Sequence, residues 1–308
     1  MLLPSAVATA RDKIAREVLM DVRKVVIPVA GWGTRSLPAS KNIPKEMLPI
    51  FDKPVLQYIV EEAVEAGLRD VVFVTSREKR IIEDHFDHTP HLEELLLRSG
   101  KHELLEKVRE VGDMINVIAV RQKQQLGLGH AVLSAKPVAG HEPFAIMLGD
   151  DMMAGQGTGI VELVAAAQKY NLPCVGVIPV PKERISRYGV VAGEEVAPGV
   201  LRVRRMVEKP PADEAPSNLG IVGRYLLTPE IFEYIEQTKP GHGGEIQLTD
   251  ALQRMADERG LMAITLHGQR FDAGDWCEYL LANIHYGLKD EGLRSELLQG
   301  LKAMLNNY

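Results

Sequence analysis

An α/β architecture, a mostly parallel mixed sheet with helices on its faces, follows from three features of this 308-residue chain. Short β-branched apolar runs alternate with segments whose apolar residues recur at helical spacing. The runs are apolar throughout rather than polar at every second position, the mark of strands buried on both faces. Apolar residues make up 45% and charged residues 25% of the chain, proportions that allow a large core and exclude wholesale disorder.

The first strand is 24–30 (KVVIPVA). A loop rich in Gly, Pro and Lys runs on to Lys53. Pro54 then takes the first position of a helix, where its missing N–H costs nothing. Val55, Leu56, Ile59, Val60 and Val64 form the apolar stripe of that helix, and Gly67 ends it. A second strand, 70–76 (DVVFVTS), precedes a charged helical stretch over 78–86 and a Leu- and Glu-rich segment over 91–111, whose leucines read as core or subunit contact. Strands at 115–120, 143–148 and 173–180 alternate with helices at 129–135 and 159–170. Ligands on such sheets bind beyond the carboxyl ends of the strands, so the loops after Ala30, Val120 and Leu148 are expected to share one crevice. Past residue 180 the pattern changes to short β-like pieces, and helices return from Pro229. The expected organisation is an extension over 1–22, helical from 5 to 20; one domain over 23–290, with lobes over 23–180 and 181–273, the second smaller and β-rich; and a helical segment over 274–308.

Composition narrows the function. Lys and Arg number 36 against 42 Asp and Glu, a net charge of −6. Such a chain is not expected to bind nucleic acid or an anionic membrane. Cys174 and Cys277 are the only cysteines, with no Cys-x-x-Cys between them, so neither a disulfide framework nor a zinc ribbon is expected. No apolar stretch approaches the roughly 18 residues of a membrane helix. The first ten residues end in an Ala-x-Ala look-alike but lack a basic residue ahead of the apolar part, which favours the helical extension over a signal peptide. A cytoplasmic protein is the expectation. His85, His88 and His91 cluster without a metal-ligand spacing. Two phosphate signatures are incomplete: GxxxxGK[ST] is absent, and GxGxxG fails twice because Ser36 and Val132 stand where a third glycine belongs. A nicotinamide-dependent oxidoreductase is disfavoured on that ground.

The loop after the first strand is the most informative segment. Gly31 and Gly33 let backbone amides approach an anion. Between 23 and 53 stand six basic residues (Arg23, Lys24, Arg35, Lys41, Lys45 and Lys53) against Glu46 and Asp52, a local charge of +4 in a chain of net −6. A local reversal of sign suits a polyphosphate; the plain alternative is a solvated turn. Asp150 directly follows the fourth strand, where a carboxylate can hold Mg²⁺ together with phosphate oxygens, or simply cap a turn. Glu208, Lys209 and Pro210 read equally as an exposed strand end. Neighbouring strand residues face opposite ways, so Glu208 and Lys209 reach one ligand only if the strand stops there.

The residues Ala30, Gly31, Gly33, Thr34, Arg35 and Pro38, followed by PKEMLP at 44–49, match the signature of the sugar-nucleotide pyrophosphorylases. Further matches in the same order are GLGHAVL (127–133), LGDD (148–151), YGVV (188–191), VEKP (207–210), NLGIVGRY (218–225) and GGEIQLTDAL (243–252). The chain resembles that nucleotidyltransferase family over all but about its first 22 residues, and most resembles the bacterial branch that joins UTP to glucose 1-phosphate. Trp32 and Ser36 depart from it, since the family carries smaller or aliphatic residues at the first position and bulkier apolar ones at the second.

The resemblance implies a Rossmann-like nucleotidyltransferase fold and an Mg²⁺-assisted, in-line attack of the sugar phosphate on the α-phosphorus of UTP, giving UDP-glucose and pyrophosphate. It implies Arg35, Lys45, Asp150 and Lys209 as the catalytic set. Ala30, Gly31, Gly33, Glu46, Gln122 and Gly127 would hold the nucleotide, and Asp151, Gly189, Glu208 and Lys209 the sugar phosphate. Asp150 and Asp272 would hold the metal. It also implies a homo-oligomer, dimer or tetramer. Rival readings are the same fold acting on another base or sugar, such as a thymidylyltransferase, and a non-catalytic sugar-nucleotide binder.

Overall fold

The computed structural model describes residues 21–307; the helical extension expected over 5–20 lies outside them. The strands are β1 (Lys24–Pro28), β2 (Pro49–Ile50), β3 (Lys53–Pro54), β4 (Asp70–Thr75), β5 (Asn116–Arg121), β6 (Phe144–Met147), β7 (Asp151–Ala154), β8 (Cys174–Pro179), β9 (Gly189–Ala197), β10 (Val200–Glu208), β11 (Leu219–Leu227), β12 (Met262–Thr265) and β13 (Gln269–Asp272). Among the described residues, nine of these form one sheet in the order β5-β4-β1-β6-β11-β8-β12-β10-β9. The apolar runs read from the sequence as buried strands are its β1, β4, β5, β6 and β8; β5 departs from that expectation, since it lies at the sheet edge and none of its residues is buried.

Parallel pairing joins β5, β4, β1 and β6, and also β8 with β12. The remaining neighbours are antiparallel, because β11 inserts between β6 and β8, and β9 and β10 form a hairpin. The sheet is therefore mixed, with its parallel part concentrated in the N-terminal half. β9 also pairs with β11, so the C-terminal half curls back on itself. β1 lies between β4 and β6, so the chain leaves β1 on one side and returns on the other. That reversal opens a crevice at the carboxyl ends of β1 and β6.

Helices cover both faces. On one lie α1 (Val55–Glu65) and, past α2 (Ile81–His85), α3 (Pro90–Arg98), α4 (His102–Gly112), α5 (Leu128–Ser134) and α6 (Lys136–Ala139), the helix α7 (Ile160–Tyr170). Val25, Ile27, Phe73 and Met147 pack into this layer. α5 lies on the opposite face with α8 (Ile231–Glu236) and α9 (Leu248–Glu258), where Val26, Val72, Val74 and Ile146 point. Successive strand residues thus feed alternate cores, as the two-residue period requires. A buried ion pair ties the layers together: Arg224 of β11 donates from Nε to Glu62 Oε1 at 2.8 Å and from Nη2 to Oε2 at 2.6 Å.

The 91–111 segment is two helices, α3 and α4, broken at Gly100 (φ 68°). Leu96 and Leu105 are buried, but Leu92, Leu95, Leu97 and Leu104 face solvent, so little of the leucine content is core of this chain. The C-terminal helices α10 (Trp276–Lys289) and α11 (Arg294–Leu305) return toward β2, where Tyr279 Oη donates to the Pro49 carbonyl at 2.7 Å. Trp276 is half exposed and meets Tyr279 edge-on. No helix of the described residues is long and apolar enough to cross a membrane.

Candidate active site

Two cavities meet at the crevice. The first, about 550 Å³, is bounded by the loop after β1 (Ala30, Gly31, Trp32, Gly33) and by Gln122 and Gly127 beyond β5. Two glycines make it possible. Gly33 holds φ 64° beside the Lys45 side chain. Gly127 holds φ 105°, and a Cβ there would lie 2.7 Å from Glu245 Cβ. Either conformation is costly for any other residue. Gln125 Nε2 donates to the Ala30 carbonyl at 2.7 Å, bracing the β1 loop against the β5 loop. Gln122 Nε2 is 3.3 Å from the Gly127 carbonyl and 3.0 Å from His130 Nδ1. Those contacts fix the plane of its amide.

The second cavity, about 780 Å³, includes Asp150, Asp151, Gly189, Glu208, Lys209 and Asp272 in its wall. Leu128 and Glu245 border both cavities, which makes them neighbours. β10 ends at Glu208, and Lys209 adopts φ 45°. This breaks the strand's alternation and lets both side chains face one hollow, with Lys209 Nζ 3.4 Å from Glu208 Oε1. Thr249 Oγ1 donates to Glu208 Oε2 at 2.6 Å. A Cβ on Gly189 would come 3.0 Å from that hydroxyl and 3.1 Å from that carboxylate, so the glycine keeps this wall open.

Charge converges at the wall of the second cavity. Lys45 Nζ contacts Asp150 Oδ2 directly. Arg35 reaches Asp150 at 3.8 Å and Asp272 at 3.9 Å while staying largely exposed. Burial pushes the Asp150 carboxyl up, but the charges of Lys45, then Arg35 and Arg270, override burial and hold it below its usual range. Asp272 behaves in the opposite way: burial first, then the Asp150 charge, hold its carboxyl above the usual value. Two oxygen donors that repel one another in the wall of one cavity are the donor set that suits Mg²⁺, which takes one or two carboxylates and leaves its other positions to phosphate and water. No group of three or more His, Cys, Asp or Glu side chains suited to a metal occurs among the described residues.

Two expected ligand contacts are occupied by the protein itself. Glu46 borders neither cavity; it is 2% exposed and pairs with Lys79 at 2.9 Å, beneath the Lys45–Asp150 contact. Asp151 lines the second cavity, but its oxygens accept from Arg270 Nε at 2.7 Å, Arg270 Nη2 at 3.1 Å and the Gly223 amide at 3.0 Å. Arg270 is the residue that reading the sequence missed. It also donates from Nη1 to the Tyr188 hydroxyl at 2.8 Å and has Nη2 3.9 Å from Asp272 Oδ2. The signal was present, since Arg270 and Asp272 stand two apart in β13 and so share a face. A larger groove of about 910 Å³ beside α3 and α4 contains none of the expected site residues and no comparable convergence of charge.

A cavity walled by the glycine loop, a neighbouring one that carries Glu208, Lys209 and the paired acids Asp150 and Asp272, and cations on those acids suit the class of enzymes that move a nucleotidyl group between two phosphates. The chain belongs to the nucleotidyl transferase family, whose profile it matches over residues 24–287. It is 46% identical to the UTP–glucose-1-phosphate uridylyltransferase of Bacillus subtilis (strain 168) over 288 residues, 94% of this chain and 99% of that protein. A crystal structure of UDP-glucose pyrophosphorylase complexed with UDP-glucose superposes with a TM-score of 0.81 at 42% identity, covering 87% of this chain and 100% of the other. A UTP-bound UGPase from Acinetobacter baumannii superposes with a TM-score of 0.83 at 40% identity, covering 91% of this chain and 98% of the other.

Proposed function

We propose that this chain transfers the uridylyl group of UTP to glucose 1-phosphate, releasing pyrophosphate and UDP-glucose. The observation that carries the reading is the place of Asp150: it touches Lys45, lies within ion-pair reach of Arg35, and borders the hollow that also holds Lys209. The near-full-length likeness to uridylyltransferases and to structures holding UTP or UDP-glucose supports the choice of substrates.

The chemistry needs no general base. A phosphate monoester has its second pKa near about 6, so the attacking oxygen is already ionised at neutral pH. That oxygen forms a bond to the α-phosphorus as the bond to the bridging oxygen breaks, and pyrophosphate carries the electron pair away. The protein must hold two anions in line and offset the charge that spreads over the phosphoryl oxygens. In this reading Lys209 exchanges its contact with Glu208 for the sugar phosphate. Glu208, oriented by Thr249, accepts from sugar hydroxyls, and Gly189 leaves room for the ring. Asp151 acts through Arg270, shaping the wall rather than meeting the sugar directly. Arg35 and Lys45 face the triphosphate. Gln122 offers its amide to the edge of the base, and the backbone of Ala30, Gly31, Gly33 and Gly127 lines the base and ribose. Glu46 supports Lys45 from beneath.

Magnesium would be held by Asp150 and Asp272, where it would supply positive charge against that of the phosphates. Asp150 is ready to receive it because its carboxyl is held below the usual range and is ionised at neutral pH. The enzyme works in the cytoplasm as a homo-oligomer, to which the exposed leucines of α3 and α4 offer apolar surface.

Pyrophosphate release measured in parallel with UTP, dTTP and CTP, each with glucose 1-phosphate and Mg²⁺, tests the reading. UTP is expected to give the highest kcat/KM. A clear preference for dTTP, or UDP-glucose binding without pyrophosphate release, contradicts it.

A further inference from the structure

We propose that Trp32 is a base-stacking residue that covers the outer face of the nucleotide cavity. The inference rests on reading that cavity as the uridine site. Trp32 stands between Gly31 and Gly33 at the turn after β1, and its side chain is 68% exposed. Its ring borders the cavity together with Ala30, Gly31, Gln122 and Gly127. Among the described residues no hydrogen bond, ring contact or cation engages the indole, whereas the chain's other tryptophan packs on Tyr279. An indole is the largest aromatic surface a protein can offer. Leaving one unpartnered at the mouth of a cavity forfeits the burial that usually accompanies it.

The surroundings decide which part of a nucleotide meets the ring. Gln122, whose Nε2 contacts the Gly127 carbonyl and His130 Nδ1, is on this reading the group that meets the edge of a base. Arg35 and Lys45 meet at Asp150, which the cavity bordered by Trp32 does not include. The sugar-side cavity does not include Trp32. What remains for the indole is the flat face of the base. Trp32 also borders a second hollow of about 590 Å³ with Arg77, Arg121 and Lys123, but Ala30, Gly31 and Gly127 place it on the nucleotide side as well. Every base has a π-face, so stacking adds affinity without choosing among bases. Selection is then left to the edge contacts of Gln122.

Trp32 and Trp276 are the only tryptophans, which makes emission a direct probe. In the Trp276→Phe chain, titration with UTP should quench the remaining fluorescence at concentrations that match calorimetric binding. Trp32→Phe should bind UTP nearly as the unaltered chain does. Trp32→Ala should weaken UTP, dTTP and CTP by a common factor on the order of tenfold, raising the nucleotide KM and leaving the KM for glucose 1-phosphate in place. Unchanged emission in Trp276→Phe while calorimetry registers UTP binding overturns the proposal, as does wild-type UTP affinity in Trp32→Ala. If the unaltered chain binds no nucleotide by calorimetry and releases no pyrophosphate, the uridine reading has failed and the stacking role goes with it.

Discussion

Removing the Arg270 guanidinium should damage both stability and sugar-phosphate binding, in amounts the geometry allows to be worked out. Arg270→Met keeps much of the stem and deletes two bonds to Asp151, at 2.7 and 3.1 Å, and one to Tyr188, at 2.8 Å. The side chains are 11% and 7% exposed, so Asp151 would be left as a nearly buried carboxylate with only the Gly223 amide donating to it. Breaking one partner of a buried ion pair costs about 3–5 kcal/mol. The cavity beside the pair lets water in, which puts the expectation at the lower end, about 3 kcal/mol in urea denaturation. Asp151→Asn should also destabilise, and the double variant should recover part of the loss, with a coupling of about 2 kcal/mol. Kinetically, Arg270→Met should raise the KM for glucose 1-phosphate more than that for UTP, because Asp151 and Tyr188 border only the sugar-side cavity. Additive single effects, within about 0.5 kcal/mol, would refute the idea that Arg270 and Asp151 act as one unit.

Two further variants read the charges around the second cavity. The Asp272 carboxyl is held above its usual value by burial and then by Asp150, so the folded state holds that proton more tightly than the unfolded chain does. Its contribution is therefore most favourable in acid and is lost as pH rises from the unfolded value, about 3.9, through the raised folded one. Asp272→Asn should flatten that slope and raise the urea midpoint at pH 7 in the presence of a chelator, while lowering turnover with Mg²⁺; a lower midpoint at pH 7 contradicts the repulsion. Lys209→Ala removes a charge-assisted bond worth about 1.5–3 kcal/mol, so steady-state kinetics should show the KM for glucose 1-phosphate rising by on the order of tenfold or more with that for UTP little changed. Unaltered kinetics toward the sugar phosphate would remove Lys209 from its role.

The parts of the molecule that were legible beforehand are those governed by local pattern. β1, β4, β5, β6 and β8 are apolar runs, and their alternate residues feed two separate cores. Lys209 was a conditional case: adjacency to Glu208 argued against a shared ligand unless the strand ended, and the positive φ at Lys209 ends it. What escaped detection depends on partners distant in the chain. The resemblance implied Glu46 as a nucleotide ligand, but its pairing with Lys79, 33 residues further on, could not be read from local pattern. It implied Asp151 as a sugar contact, and the ion pair that Arg270 makes with it from 119 residues away was equally out of reach. The leucines of α3 and α4 fit a helical period, but periodicity does not say whether the apolar side meets this chain or leaves it uncovered.

The most direct measurement follows phosphorus resonances while the unaltered chain and its Asp150→Asn variant are each supplied with UTP, glucose 1-phosphate and Mg²⁺. The unaltered chain should convert the two substrates into UDP-glucose and pyrophosphate in equal amounts, and the variant, still folded by circular dichroism, should lose nearly all of that turnover. Equal rates from the two proteins, or no UDP-glucose from the unaltered one, would contradict the role given to the Asp150 carboxylate.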